Sequence, residues 1–454
     1  MMRSFLAVVV AACLSLSSLS AQASSDRAAS AVRWVTPYGV QAVFLAAPEI
    51  PMLDLSVDID AGNRWDPAPK AGLAAMTLSM LSRGVRAEAG QPALTEVQIS
   101  QTLADLAVQR GGSAGMDRVS ISMRMLADAD VRQAAVGLLA RIIAHPAFDP
   151  AILEREKQRT IAGIRESLTQ PQSIATRALW KSMYGTHPYG AEATAESVGA
   201  IAAADLAAFH RERWQPQRMR VTIVGALTEA QARELVDGVF AFFARTSAVP
   251  QKPSIARPAE VSPLAPVRQA IAHPASQSHI WLGMPGIARD DPDFFALTVG
   301  NYIFGGGGFV SRLTEEVREK RGLSYSVFSA FQPMAQPGPF LIGLQTQSAK
   351  APEALKVVED TLRRFLSEGP TEKELKAARQ NLVGGFALRL DTNRKLLDNL
   401  AQINYYDLPL DYLQTWTSRV SAVTRADIVR AMNRVIDPAR LSAVVVAGPA
   451  GFAP

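Results

Sequence analysis

The feature that most constrains this chain is a segment written twice. Ile201-Ala-Ala-Ala-Asp205-Leu206 is followed by Pro216, Arg218 and the strand Met219 to Gly225. Val423-Thr-Arg-Ala-Asp427-Ile428 is followed by Pro438, Arg440 and the apolar run Leu441 to Gly448. Asp205 and Asp427, Pro216 and Pro438, and Arg218 and Arg440 are each 222 positions apart. The same offset sets Phe148-Asp149-Pro150, through Leu153, against Pro370-Thr371-Glu372, through Leu375. A shared offset with equal internal spacings is the mark of one supersecondary unit used twice. The fold class expected is therefore α+β, with two homologous domains.

Periodicity fills in the unit. Strand-like runs (Gln41 to Leu45, Leu53 to Ile59, His279 to Met284, Phe340 to Thr346) alternate with long helical stretches such as Ala151 to Ser167 and Ala351 to Leu366. Residues 248–267 carry Pro250, Pro253, Pro258, Pro263 and Pro266 without helical periodicity, so they read as a stiff linker. The division that follows is 30–247, linker 248–267, and 268–450. At 454 residues, with 48% hydrophobic and 20% charged side chains, the chain has the composition of a globular protein rather than a disordered or collagen-like one. Its net charge of +5 is spread too thinly to suggest a nucleic-acid partner. The single cysteine, Cys13, excludes an internal disulfide and any multi-cysteine zinc site.

The first residues read as an export signal. Arg3 precedes a mostly apolar stretch from Phe5 to Leu19, and Ala21-Gln22-Ala23 offers a cleavage site, giving a signal peptide over 1–23. An alternative takes Val10-Ala11-Ala12-Cys13 as a lipoprotein box with Cys13 acylated. The apolar residues that continue past Cys13 favour the Ala23 site. The expected location is the periplasm, with no transmembrane anchor once the signal is removed.

Candidate chemistry is sparse. The five histidines, His145, His187, His210, His273 and His279, are never three or four residues apart, so no helix offers two imidazoles to a metal. Gly305-Gly306-Gly307-Gly308 leads into Phe309-Val310-Ser311-Arg312 and not Gly-Lys-Ser/Thr, so it is not a phosphate loop. Its expected use is a backbone that adopts positive φ and approaches a peptide closely. A helix over Leu313 to Lys320, a stop at Arg321-Gly322 and a strand over Leu323 to Phe328 would bring Arg318 near Tyr325. Both could donate hydrogen bonds to one carbonyl, although a merely structural Arg–Tyr contact fits the spacing as well.

The duplicated halves, the stretch Gly305 to Leu313 and Arg318-Glu-Lys-Arg-Gly-Leu-Ser-Tyr325 together resemble the pitrilysin/insulinase family of zinc peptidases, in its short, processing-peptidase-like branch. His187-Pro188-Tyr189-Gly190 resembles a recurrent segment of that family. The resemblance implies two domains, each a mainly antiparallel sheet covered by helices. It also implies where zinc would be held: an H-x-x-E-H helix whose positions are here Ala75, Leu78 and Ser79, with a later glutamate falling near Gly163. None of these is a metal ligand of consequence, so no metal, cofactor or catalytic residue is expected in this chain alone. Arg318 and Tyr325 match the family pair that binds the substrate carbonyl. The implied role is the substrate-binding subunit of a heterodimeric zinc endopeptidase, with zinc and H-x-x-E-H in the partner and an extended peptide as substrate. Two rivals are a peptidase-derived scaffold subunit and a homodimeric, chaperone-like peptide binder.

Overall fold

The structure, a computed structural model, describes residues 31–88, 90–243 and 256–447. The signal segment, Cys13 and residues 248–255 of the linker lie outside the described residues.

The first half holds β1 (Val32–Val35), β2 (Gln41–Ala46), β3 (Met52–Ile59), the short β4 (Gly84–Val85) and β5 (Leu94–Thr95), β6 (Gln109–Ala114), β7 (Val119–Leu126) and β8 (Met219–Gly225). Its helices are α1 (Leu73–Met80), α2 (Glu96–Asp105), α3 (Ala129–Ala144), α4 (Pro150–Ser167), α5 (Pro171–Tyr184), α6 (Ala195–Gly199), α7 (Ala203–Arg213) and α8 (Glu229–Val239). The second half holds β9 (Arg268–Ala272), β10 (Gln277–Pro285), β11 (Val327–Phe331), β12 (Pro339–Gln347) and β13 (Ser442–Ala447). With them are α9 (Phe294–Asn301), α10 (Ala351–Glu368), α11 (Glu372–Gly384), α12 (Asn393–Tyr405), α13 (Tyr412–Ala422) and α14 (Arg425–Val435). No helix among the described residues is long and apolar enough to cross a membrane.

The main sheets run β1-β2-β8-β3-β7-β6 and β9-β13-β10-β12-β11. Apart from the extra edge strand β1, the two orders are the same. In each, one pair is parallel (β2 with β8, β9 with β13) and the other neighbours are antiparallel. The repeated residues explain the match. Asp205 and Asp427 each accept the backbone N–H at the start of α7 and α14, and Pro216 and Pro438 open one turn of 3₁₀ helix before β8 and β13.

Alternation decides which face of each strand is buried where. Leu53, Leu55, Val57 and Ile59 of β3, with Val119, Ile121, Met123 and Met125 of β7, face the core made with helices of the same half. The opposite face of each sheet is covered by a helix from the other half. Ala175, Leu179 and Met183 of α5 pack on Leu341, Val444 and Val446 of the second sheet. In return α12 lies across β8 and β3, where Asn404 Nδ2 donates to Val221 O at 2.9 Å and Gln41 Nε2 donates to Asn404 Oδ1 at 3.0 Å. Each half thus completes the other.

The join between the halves also contains a buried carboxylate. Asp117, in the β6–β7 turn, accepts from Tyr189 Oη at 2.6 Å, Tyr406 Oη at 3.0 Å and the Ala335 N–H at 2.8 Å. Its side chain stands 3.5 Å from Arg64, and its backbone carbonyl accepts from Tyr405 Oη at 2.7 Å. Burial and the charges of Asp60 and Asp117 push the phenol of Tyr405 up, and burial with the charge of Asp117 does the same for Tyr189, so both remain donors.

Candidate functional site

The segment from Tyr302 to Tyr325 departs from ordinary helix at two places. Gly307 N–H bonds to Tyr302 O at 2.8 Å, and Lys320 N–H bonds to Glu315 O at 2.9 Å, both five residues back. The turns Tyr302–Gly306 and Thr314–Glu319 are therefore π-helical, a wide winding that recurs at functional sites. The expected plain helix over Leu313 to Lys320 is corrected accordingly. The expected strand over Leu323 to Phe328 is also corrected, because β11 starts only at Val327. Ser324 Oγ accepts from Ser326 N–H and donates to Ser326 O, and Thr346 Oγ1 holds Leu323 O at 2.5 Å. These bonds keep Tyr325 in a turn ahead of the strand.

Most of the glycine run is closely packed, and the positive φ expected along it is found only at Gly308. A Cβ at Gly305 would stand 2.4 Å from Ser329 Oγ, and one at Gly307 would stand 2.6 Å from Tyr302 O. A Cβ at Gly306 would meet Asn301 Nδ2 at 2.7 Å. Only Gly308, at φ +61°, combines positive φ with open space around it.

Arg318 and Tyr325 do meet. The Arg318 guanidinium carbon lies 4.8 Å from the centre of the Tyr325 ring and 4.8 Å from that of Phe309. Tyr325 is 84% exposed and Phe309 74% exposed, so two large rings stand in solvent with a cation against them. Stacking uses the faces of a guanidinium and leaves donors at its rim for an acceptor in its plane.

Ion pairs fix the segment from below. Arg312 grips Glu374 through Nε at 2.6 Å and Nη2 at 2.8 Å, and also donates to Gly369 O. Glu316 accepts from Arg321 at 2.7 Å, Arg364 at 2.8 Å and Lys320 at 3.0 Å. Burial alone would raise both carboxyls. For Glu316 the bonds from Arg321, Lys320 and Arg364 outweigh it, for Glu374 those from Arg312 and Thr371, and each is held at about 2. Since these values lie below the unfolded value of about 4.3, the stability they give is complete above that pH and is lost as pH falls toward 2. Urea midpoints are expected to drop across this window. Glu316→Gln should be less stable at pH 6 yet show a shallower acid loss; an unchanged acid profile would contradict the clamp.

The positions matched to zinc ligands lie on a different sheet. Helix α1, whose N-terminal Gly72 and Ala74 N–H groups are capped by Asp66 at 2.7 and 2.8 Å, packs against β6 and β7. Ala75 is exposed and Ser79 half-buried, while Leu78 covers the face of Gly112, where a Cβ would meet it at 3.3 Å. Gly163 on α4 is exposed. Nearby, Glu156 is committed to Arg83 and Arg155, and burial with the charge of Arg83 lowers the Arg110 guanidinium. Methyl, isobutyl and hydrogen side chains with one hydroxyl do not fit a zinc ion. Among the described residues no three His, Cys, Asp or Glu side chains are grouped to hold a metal. Arg318 and Tyr325 lie beside β11 of the second sheet, so the two sets are not brought together.

The fold has close counterparts. A crystal structure described as a peptidase M16 inactive domain from Pseudomonas fluorescens superposes with a TM-score of 0.86 at 33% identity, over 93% of this chain and 99% of that one. The chain belongs to the M16 peptidase family. The family description "Peptidase M16 inactive domain" matches residues 200–382. A Helicobacter pylori relative, 23% identical over 384 residues covering 84% of this chain and 85% of that one, is called a non-peptidase homolog. An uncharacterised zinc protease of Mycobacterium leprae is 26% identical over 394 residues, 85% of each chain. This M16 protein is of the inactive, peptidase-like kind. The sequence reading of the M16 site missed Phe309, although the residue stands inside the quoted motif. It also missed Asp117, the acceptor of Tyr189 in His187-Pro188-Tyr189-Gly190, because nothing local marks a carboxylate 72 residues away as its partner.

Proposed function

We propose that this chain is the metal-free, substrate-binding subunit of a heterodimeric zinc endopeptidase that acts on exported peptides or unfolded segments in the periplasm. One observation carries the reading: Arg318 stacked against the exposed Tyr325 and Phe309, immediately ahead of β11, which ends its sheet. An extended peptide would pair with such an edge through backbone hydrogen bonds, which give affinity with little sequence preference. Arg318 and Tyr325 would then donate to a substrate carbonyl and to the negative charge that develops on it. Zinc chemistry belongs to an H-x-x-E-H partner, because the equivalent positions here hold Ala75, Leu78 and Ser79.

The test is a pull-down with the tagged mature chain, followed by zinc and peptidase assays on the complex and on this chain separately. The expected result is an H-x-x-E-H companion, zinc in the companion only, and activity only in the mixture. Chelator-sensitive hydrolysis by this chain alone would overturn the division of labour. A homodimer that binds peptides without a peptidase would point to the chaperone-like role. An inactive assembly that binds no peptide would point to the scaffold.

A further inference from the structure

The duplicated sheets carry one equivalent row of cross-strand neighbours with opposite contents. In the second sheet the row is Phe328 of β11, Gly343 of β12, Trp281 of β10 and Val444 of β13. The Phe328 and Trp281 rings meet edge to face at 5.7 Å above Gly343, where a Cβ would stand 2.9 Å from one ring and 3.2 Å from the other. The row is plugged. In the first sheet the corresponding row is Gly111 of β6, Ser122 of β7, Ser56 of β3 and Thr222 of β8. No ring occupies it.

What occupies that place is a cavity of about 570 Å³ between the first sheet and α12. Its floor is Ser56, Asp58, Ser120 and Ser122, and Arg394 and Asp398 of α12 face them. The charges are paired: Arg118 stands 3.4 Å from Asp58, and Arg394 stands 3.4 Å from Asp398. Ser56 and Ser120 hydroxyls donate to Asp58. Serine hydroxyls both donate and accept, so the lining suits an uncharged hydrogen-bonding group better than a cation, an anion or a hydrocarbon. The cavity opens beside β6, the last strand of its sheet, and Gly111 leaves its Ser122 wall uncovered. A Cβ on Gly111 would lie 2.8 Å from Ser122 Oγ.

β6 ends the first sheet as β11 ends the second, and a further stretch of peptide paired to β6, away from Arg318 and Tyr325, would turn alternate side chains to the two faces of the first sheet. We infer that the side chains turned away from α1 enter this cavity, and that it is a pocket selecting amide-bearing residues, glutamine or asparagine, in an extended peptide. The inference rests on the peptide-binding reading above and adds a preference to it.

The test measures binding of labelled, disordered peptides to the full mature chain by fluorescence anisotropy. The peptides share one host sequence and carry Gln, Leu, Lys or Glu at every second position. Gln peptides are expected to bind about tenfold more tightly than Leu peptides, the effect of one or two added hydrogen bonds. Gly111→Phe, which rebuilds the plug of the second sheet, should bring the Gln-to-Leu ratio to about one. Ser122→Leu should do the same from the floor of the cavity and serves if the first variant does not fold. Peptide binding without a Gln preference, or a preference that survives both substitutions, would overturn the pocket and leave the proposed function intact. Failure of every peptide to bind would overturn the peptide-binding reading and the pocket with it.

Discussion

Tyr325→Phe is expected to lower turnover by the proposed heterodimeric endopeptidase about 10²- to 10³-fold, the usual effect of losing one donor to a developing oxyanion. Assembly should survive. Tyr325 is 84% exposed and stands in a turn fixed by Ser324 and Thr346, so loss of its hydroxyl removes no packing. The ring remains to stack on Arg318, which isolates the effect of the phenolic donor from that of the cation–π contact. Steady-state kinetics of the purified complex, with pull-down yield as the control, give the answer. Equal kcat/KM for variant and parent would remove the hydroxyl from the reaction and leave Tyr325 as a surface residue.

The largest effect on stability is expected from Asp117→Ala, about 3–5 kcal/mol, the range for removing one member of a buried charge pair. The substitution strips the acceptor from one buried phenol, one half-buried phenol and one N–H, and it takes from Arg64 one of its two carboxylate neighbours. The lost bonds join β6–β7 of the first half to residues 335 and 406 of the second, so the damage falls on the union of the halves. Urea unfolding followed by tryptophan fluorescence is the measurement, with Tyr189→Phe as a milder comparison costing about 1–3 kcal/mol. A loss under about 1 kcal/mol for Asp117→Ala would mean that water replaces Asp117 at no cost, and that this junction does not hold the halves together.

How much of this was legible in advance depended on sequence distance. The strands over 41–45, 53–59, 279–284 and 340–346 follow from alternation, and each occurs within a residue or two of its expected bounds. The helix that contains Arg318 was legible as a helix but not as a π-helical one. Leu313 and Val317 of that segment are buried in a core shared with α10 and β11, contacts that local propensity does not announce. The close packing of the glycine run was hidden for the same reason. Its small residues answer to Ser329, Asn301 and Tyr302, and only the packed chain sets those beside it.

By itself the sequence determined that one unit is used twice, that Ala75, Leu78, Ser79 and Gly163 offer no set of zinc ligands, and that Arg318 and Tyr325 fall seven residues apart. These are matters of residue identity and spacing, which survive in any conformation. Only the tertiary structure decided that α5 and α12 change places between the halves, that Asp117 gathers tyrosines from both, and that one sheet face is plugged by Trp281 and Phe328 while its twin is open. Each of those depends on which surfaces meet, and that is fixed by the burial of apolar faces and the satisfaction of buried polar groups across hundreds of residues.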